Sequence, residues 1–283
     1  MNYTSLVSAE DVLNHLDNPH WRIVDCRFDL KDKHLGYEKY KLGHIPNAIY
    51  ADLKKDLSSP VSEQSGRHPL PEVSAIIQKL GSWGISSQTQ VVVYDDAHGS
   101  FAGRLWWLLN WLGHENVAVL NGGFGYWENL NYPITTDIPQ IEPTTFTGRP
   151  DMSMIADMPV IENSLTNDKL LLIDVRDPER YAGHVEPIDK IAGHVPGAIN
   201  VPWKTNIDEN GLYYSKAQLK DHYSQLLVDM GAKDLVFMCG SGVTACHSLL
   251  AMKYIGISGA KLYPGSWSEW IQNPSHPVET GSH

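Results

Sequence analysis

The run Cys239-Gly240-Ser241-Gly242-Val243-Thr244-Ala245 brings a thiol, a hydroxyl and two glycines together within a few residues. A thiolate is the nucleophilic form of cysteine, and groups that stabilise an anion favour it. Glycine lets successive backbone N–H groups curl toward one point. A helix N-terminus aims further N–H groups and the positive end of its dipole at the same place. The spacing therefore predicts covalent catalysis, with Cys239 as nucleophile and Ser241 as a group that donates or relays a proton. The backbone of Gly240, Gly242, Val243 and Thr244 is the expected anion cradle. A cysteine that merely packs behind a strand is the competing reading. The loop composition and an internal repeat weigh against it.

The elements that must hold this loop are legible on both sides. Leu235–Met238 is a short apolar run that reads as a buried strand. Ala245–Tyr254 reads as a helix with Cys246, Leu250 and Tyr254 on one face and Gly256 as its stop. Earlier in the chain, Ser8 caps a predicted helix through Leu16, and residues 22–27 read as a strand. A helix is expected over 70–80, a buried strand over 90–95, a tryptophan-rich helix over 100–112 and a strand over 117–120. The order then returns. Asp25-Cys26-Arg27 matches Asp174-Val175-Arg176, and residues 43–49 match 193–199. Residues 91–113 match 235–256, and Leu120 through Trp127 matches Lys261 through Trp267. The paired positions Asp25/Asp174, His44/His194 and Asp95/Cys239 are offset by 149, 150 and 144 residues.

Two copies of one α/β domain are therefore expected, over residues 1–135 and 158–283. A Pro-, Thr- and Asp-rich linker at 136–157 would join them. Strands alternating with helices imply mainly parallel sheets flanked by helices, with ligands at the carboxyl ends of the strands. Cys239 stands at such an end. Its counterpart in the first copy is Asp95, in a loop one residue longer, so the first copy is expected to be catalytically silent.

Composition narrows the partners. The chain has 283 residues, 42% hydrophobic and 19% charged, as in an ordinary globular protein. A formal net charge of −11 argues against nucleic acid and anionic membranes, but not against a small anionic substrate met by a local cradle. Three cysteines without framework spacing point to a reducing, cytoplasmic setting. With no supporting His/Cys ligand set, neither a metal nor another cofactor is expected. No apolar stretch reaches the roughly 18 residues of a membrane helix, and the N-terminus reads as no signal peptide.

The tandem copies share Gly-His-Ile/Val-Pro-x-Ala, a loop cysteine stands only in the second, and the chain closes with Tyr263-Pro264-Gly265-Ser266-Trp267-Ser268-Glu269-Trp270. This pattern resembles the rhodanese superfamily over nearly the whole chain, from about Val7 to Pro277. The loop is similar to that of the 3-mercaptopyruvate sulfurtransferases. Thiosulfate sulfurtransferases usually carry basic residues where this chain has Gly240 and Ser241. The resemblance implies two rhodanese-like domains. It also implies transfer of sulfur from a small anionic donor to Cys239, forming a persulfide, and onward to a thiol, cyanide or a thioredoxin-like acceptor. 3-Mercaptopyruvate is the expected donor and thiosulfate the alternative.

By the same resemblance, His68 in Gly66-Arg67-His68-Pro69 matches a relay histidine paired with the loop serine. The relay aspartate falls on Lys54, with Asp52 or Asp56 as substitutes. Arg180 matches the arginine that binds the donor carboxylate, for which a planar fork is suited. Mercaptopyruvate enzymes generally add an arginine nine residues on, where this chain has Asp189 followed by Lys190. A cysteine-dependent phosphatase would need an arginine inside the loop, and Val243-Thr244-Ala245 supplies none. A sulfur carrier or binding module without turnover is a further rival, countered by the retained cysteine. Asp25, Arg27, His44, Asp174, Arg176 and His194 recur in both copies and are expected to be structural. Trp106, Trp107 and Trp111 read as core or interface, Cys246 as packed and Cys26 as inert.

Overall fold

Short runs of valine, isoleucine and leucine form the centre of each half of the chain. The computed structural model describes residues 2–166, 169–229, 231 and 234–281. Two compact units result: Met1–Ser59 with Leu70–Asp151 and Glu209–Tyr213, and Pro60–Pro69 with Met152–Asp208 and Tyr214–His283.

The first unit is built on strands β1 (Leu6–Val7), β2 (Trp21–Asp25), β3 (Ile49–Tyr50), β4 (Gln90–Tyr94) and β5 (Val117–Leu120), in the order β1-β5-β4-β2-β3. Every pairing is parallel, with Ile23 opposite Val92 and Asp25 opposite Tyr94. Central strand β4 is buried throughout, the signature of a parallel strand covered on both faces. Helix Ala102–Trp111 is likewise buried along its whole length, and Trp107 stacks on Trp111 within it. Trp106, Trp107 and Trp111 thus serve as core.

Several boundaries differ from the sequence reading. Ser8 does cap the first helix, its Oγ accepting the Asp11 N–H at 3.1 Å, but the helix is only Ala9–Leu13. The next predicted helix begins at Val73, because Pro69 and Pro71 hold the residues before them extended. Residues 136–151 belong to the first unit. The N–H groups of Thr144, Arg149 and Asp151 donate to the carbonyls of Gly81, Leu112 and Trp111. Those carbonyls lie at helix C-termini, where the regular helical ladder runs out. A segment bonded this way needs no periodicity.

The second unit contains β6 (Leu171–Asp174), β7 (Ile199–Asn200), β8 (Leu235–Met238) and β9 (Lys261–Leu262), again all parallel, in the order β7-β6-β8-β9. Strand β8 and helix Ala245–Tyr254 begin and end where the sequence places them.

The repeat extends to individual bonds. Arg27 grips Asp25 and donates from Nη2 to Gly43 O at 2.6 Å, while Arg176 grips Asp174 and donates to Gly193 O at 2.7 Å. All four side chains are buried, and removing one partner of such a pair costs about 3–5 kcal/mol. His44 bonds Tyr40 O and stacks on its ring, and His194 does the same with Tyr181. One correspondence shifts. Phe124 N–H bonds Asp95 O and Trp267 N–H bonds Cys239 O, while Trp127 and Trp270 both donate from Nε1 to the carbonyl of a proline, Pro133 and Pro277. Trp127 therefore corresponds to Trp270, not to Trp267. Among the described residues no helix is long and apolar enough to cross a membrane.

Candidate active site

Strand β8 delivers Cys239 to the carboxyl edge of the second sheet, and the chain turns at once through Gly240–Thr244 into helix Ala245–Tyr254. Cys239 is 3% exposed and Val243 is buried. Thr244 occupies the N-cap position of that helix without a side-chain capping bond. Gly242 has φ +70, and a Cβ there would lie 2.2 Å from the Pro264 carbonyl oxygen, so only glycine fits. The closing motif brackets the loop from the other side. Ser266 Oγ accepts the Cys239 N–H at 3.1 Å, and the N–H groups of Trp267 and Ser268 donate to Cys239 O and Gly240 O. Cys246 is fully buried, its Sγ 3.4 Å from Gly242 O.

Residues 60–69 lie, in sequence, inside the first copy, yet they belong to the second unit. Gly66 makes this possible, because a Cβ there would stand 2.6 Å from Gly265 O and 2.9 Å from Ser268 Oγ. Arg67 N–H then donates to Ser268 Oγ at 3.0 Å. The next residue, His68, is 2% exposed and places Nδ1 2.8 Å from Ser241 Oγ. The predicted histidine and serine are thus brought together two residues from Cys239.

Arg180 stands on the short helix Pro178–Tyr181. Glu186 accepts from its Nε and Nη2, and Asp189 accepts from Nη2 at 3.2 Å. Arg67, which sequence reasoning passed over, joins this cluster by donating from Nη1 to the other oxygen of Asp189. Its guanidinium lies over the loop: a Cβ on Gly240 would be 2.7 Å from Arg67 Nη2 and 3.6–3.7 Å from Arg180 Nη2 and Nη1. Burial pushes the Arg67 guanidinium down from its ordinary value, and negative charge on Cys239 pulls it back up. The available signal was adjacency, since Arg67 precedes His68 directly. Lys190 is exposed. Asp52 accepts from the N–H groups of Lys54 and Lys55, while Asp56 accepts from the Asp52 N–H and pairs with Lys79. Among the described residues, no group of three or more His, Cys, Asp or Glu side chains is arranged to hold a metal ion.

The equivalent loop of the first unit shows what such a turn binds. Asp95 follows β4, is fully buried and accepts N–H bonds from Ala97, Gly99, Phe101 and Ala102, each at 2.8 Å. Burial pushes its carboxyl up and these four donors pull it back. An anion is therefore built into the first loop, in the place where the second loop offers a thiol. Cys26, at the end of β2, is buried, and burial holds its thiol well above the ordinary range.

The family model of the rhodanese-like domain matches residues 8–130 and 159–273. A Pseudomonas aeruginosa protein named "Probable 3-mercaptopyruvate sulfurtransferase" is 42% identical over 99% of this chain and 100% of its own length. The thiosulfate sulfurtransferase of Rattus norvegicus is 32% identical over 98% of this chain and 95% of its own. Among solved structures, the 3-mercaptopyruvate sulfurtransferase from Leishmania major superposes with a TM-score of 0.82 at 30% identity, covering 94% of this chain and 74% of that one. Two matched domains, full-length relatives and a strand-end cysteine loop agree: the chain belongs to the rhodanese family and is a sulfurtransferase.

Proposed function

We propose that the second unit transfers sulfur from 3-mercaptopyruvate through a persulfide on Cys239, and that the first is catalytically silent. The observation that carries the reading is the convergence, around one loop, of a strand-end thiol, a serine–histidine pair at 2.8 Å and two guanidiniums. In the first half-reaction the Cys239 thiolate attacks the donor sulfur and the carbon–sulfur bond breaks. The bonding pair stays on carbon as the enolate of pyruvate. Ser241 and His68 carry the proton from the donor thiol to that carbon, so pyruvate leaves and the persulfide anion stays on Cys239, with charge and atoms conserved. In the second, a thiol, cyanide or a thioredoxin-like protein attacks the outer sulfur and restores the thiolate. The backbone of Gly240, Gly242, Val243 and Thr244 steadies the anion throughout. Three cysteines without framework spacing suit a reducing, cytoplasmic setting for this cycle.

Charge supports this donor. Arg67 and Arg180 are balanced by Glu186 and Asp189, so an incoming monoanion meets little net field, whereas a dianion meets two carboxylates without surplus positive charge. Thiosulfate remains the second reading, on the strength of the rat relative. Intact mass after incubation with each donor, beside Cys239→Ser, separates the two. A gain of one sulfur with mercaptopyruvate, lost in the variant, is the expected result. The same gain with thiosulfate alone overturns the donor. No gain with either leaves a carrier that receives its sulfur from a protein.

A further inference from the structure

On the reading of Cys239 as the thiol that carries sulfur, we infer that Glu269 is a positioning residue for it. Its side chain clamps the turn at residues 263–268 in the strained shape that registers the Cys239 loop. The strain lies at Ser266, a fully buried residue with φ +53, in the left-handed region that favours glycine. A side chain persists there only where its surroundings hold it. What the strained shape provides is a bridge to Cys239. Ser266 Oγ accepts the Cys239 N–H at 3.1 Å and donates to Tyr263 O at 2.8 Å. In the first unit the same position is Gly123, with φ +63, which has neither the strain nor the hydroxyl.

Glu269 supplies the hold. A Cβ on Gly265 would collide with its Oε2 and Cδ and lie 2.7 Å from its Cβ, so the whole side chain runs along the face of Gly265. Its N–H also donates to Gly265 O at 3.2 Å. Gly265 immediately precedes Ser266, so a shift of this residue turns the serine hydroxyl away from Cys239. No lysine or arginine pairs with Glu269 among the described residues, and a half-buried carboxylate without a cation is costly to keep. Burial pushes its carboxyl up, the Tyr263 hydroxyl pulls it back, and Asp157 pushes it up again. The first unit has the same packing with different chemistry: a Cβ on Gly122 would lie 2.6 Å from that of Tyr126, four residues on. There an aromatic side chain covers the glycine, and here a carboxylate steadied by a tyrosine hydroxyl does so.

The test compares Glu269→Ala, Glu269→Asp and Glu269→Gln with wild type in the full chain. Glutamine keeps the shape and an oxygen for Tyr263, whereas alanine and the shorter aspartate no longer cover Gly265. Two quantities are measured: kcat and KM with the donor that loads Cys239, and the rate of Cys239 alkylation by iodoacetamide at neutral pH, followed by peptide mass spectrometry. In Glu269→Ala kcat is expected to fall on the order of tenfold with KM unchanged, a fraction of the hundredfold that a misplacement of about 1 Å costs. Alkylation is expected to slow as well, because a displaced thiol sits less well in its anion cradle. Glu269→Asp should follow alanine, and Glu269→Gln should restore both quantities. The direction of the alkylation change separates positioning from charge, since removing a negative charge by itself favours thiolate and speeds the reaction. Faster alkylation in both Glu269→Ala and Glu269→Gln, or wild-type kcat in Glu269→Ala and Glu269→Asp, overturns the clamp. If no donor loads Cys239 but alkylation still slows in Glu269→Ala and recovers in Glu269→Gln, the proposed reaction falls and the clamp stands.

Discussion

Gly66→Ala tests whether residues 60–69 position the catalytic groups as one piece. The new Cβ would stand 2.6 Å from Gly265 O, while ordinary contact begins at 3.4 Å, so the segment must retreat by about 0.8 Å. The obstacle is backbone, and the turn that carries it is tied to the Cys239 loop by the Trp267 and Ser268 N–H bonds at 3.1 and 2.9 Å. The turn is therefore the stiffer partner, and residues 66–68 move. Such a retreat stretches the Arg67 N–H bond to Ser268 and takes His68 Nδ1 from 2.8 Å to the limit of hydrogen bonding with Ser241. Misplacement by about 1 Å costs on the order of a hundredfold in rate, and the strain itself costs about 1–3 kcal/mol of stability. We expect kcat to fall about a hundredfold in a protein that still unfolds cooperatively and whose Cys239 still reacts with iodoacetamide. Steady-state turnover with the donor that loads Cys239, beside thermal unfolding, measures both. Wild-type turnover in Gly66→Ala would refute the positioning role of the segment.

His68→Ala should lower turnover by tens-fold or more while a stoichiometric persulfide still accumulates slowly, as single-turnover mass spectrometry would show. Asp95→Asn should destabilise the first unit by about 2–4 kcal/mol, because an amide nitrogen would face two of the four N–H donors; a urea midpoint equal to wild type would count against the carboxylate as the clamp of that loop. His114 is buried, and burial holds its pKa below the ordinary histidine value of 6.5. Its neutral form therefore contributes stability that is present above that value and is lost as pH falls through the depressed one. The urea midpoint of wild type should drop relative to His114→Gln between pH 7.5 and pH 5, a difference on the order of 1 kcal/mol.

Local chemistry alone marked out the strand and the helix on either side of the Cys239 loop. A run of four apolar residues, a cysteine, two glycines and a ten-residue helix follow one another without a gap, so the local rules of strand, turn and helix apply directly. The duplicated order of motifs likewise determined the α/β class and the parallel sheets, since strands joined through helices pair in parallel. Asp95 was found by alignment of the two copies, but its four N–H bonds were not, because the curl of residues 97–102 is a matter of backbone angles. What only tertiary structure decided is the company Cys239 keeps. Arg67 and His68 stand more than 170 residues before Ser241, and Gly66 lets them close on the Gly265–Ser268 turn. The departure at Asp189 looked in sequence like a lost cation. In the structure it is the carboxylate that holds another cation, Arg67, over the loop. Periodicity and motif spacing report what neighbours along the chain can do together, whereas a charge cluster is assembled from whatever the fold brings within a few ångströms.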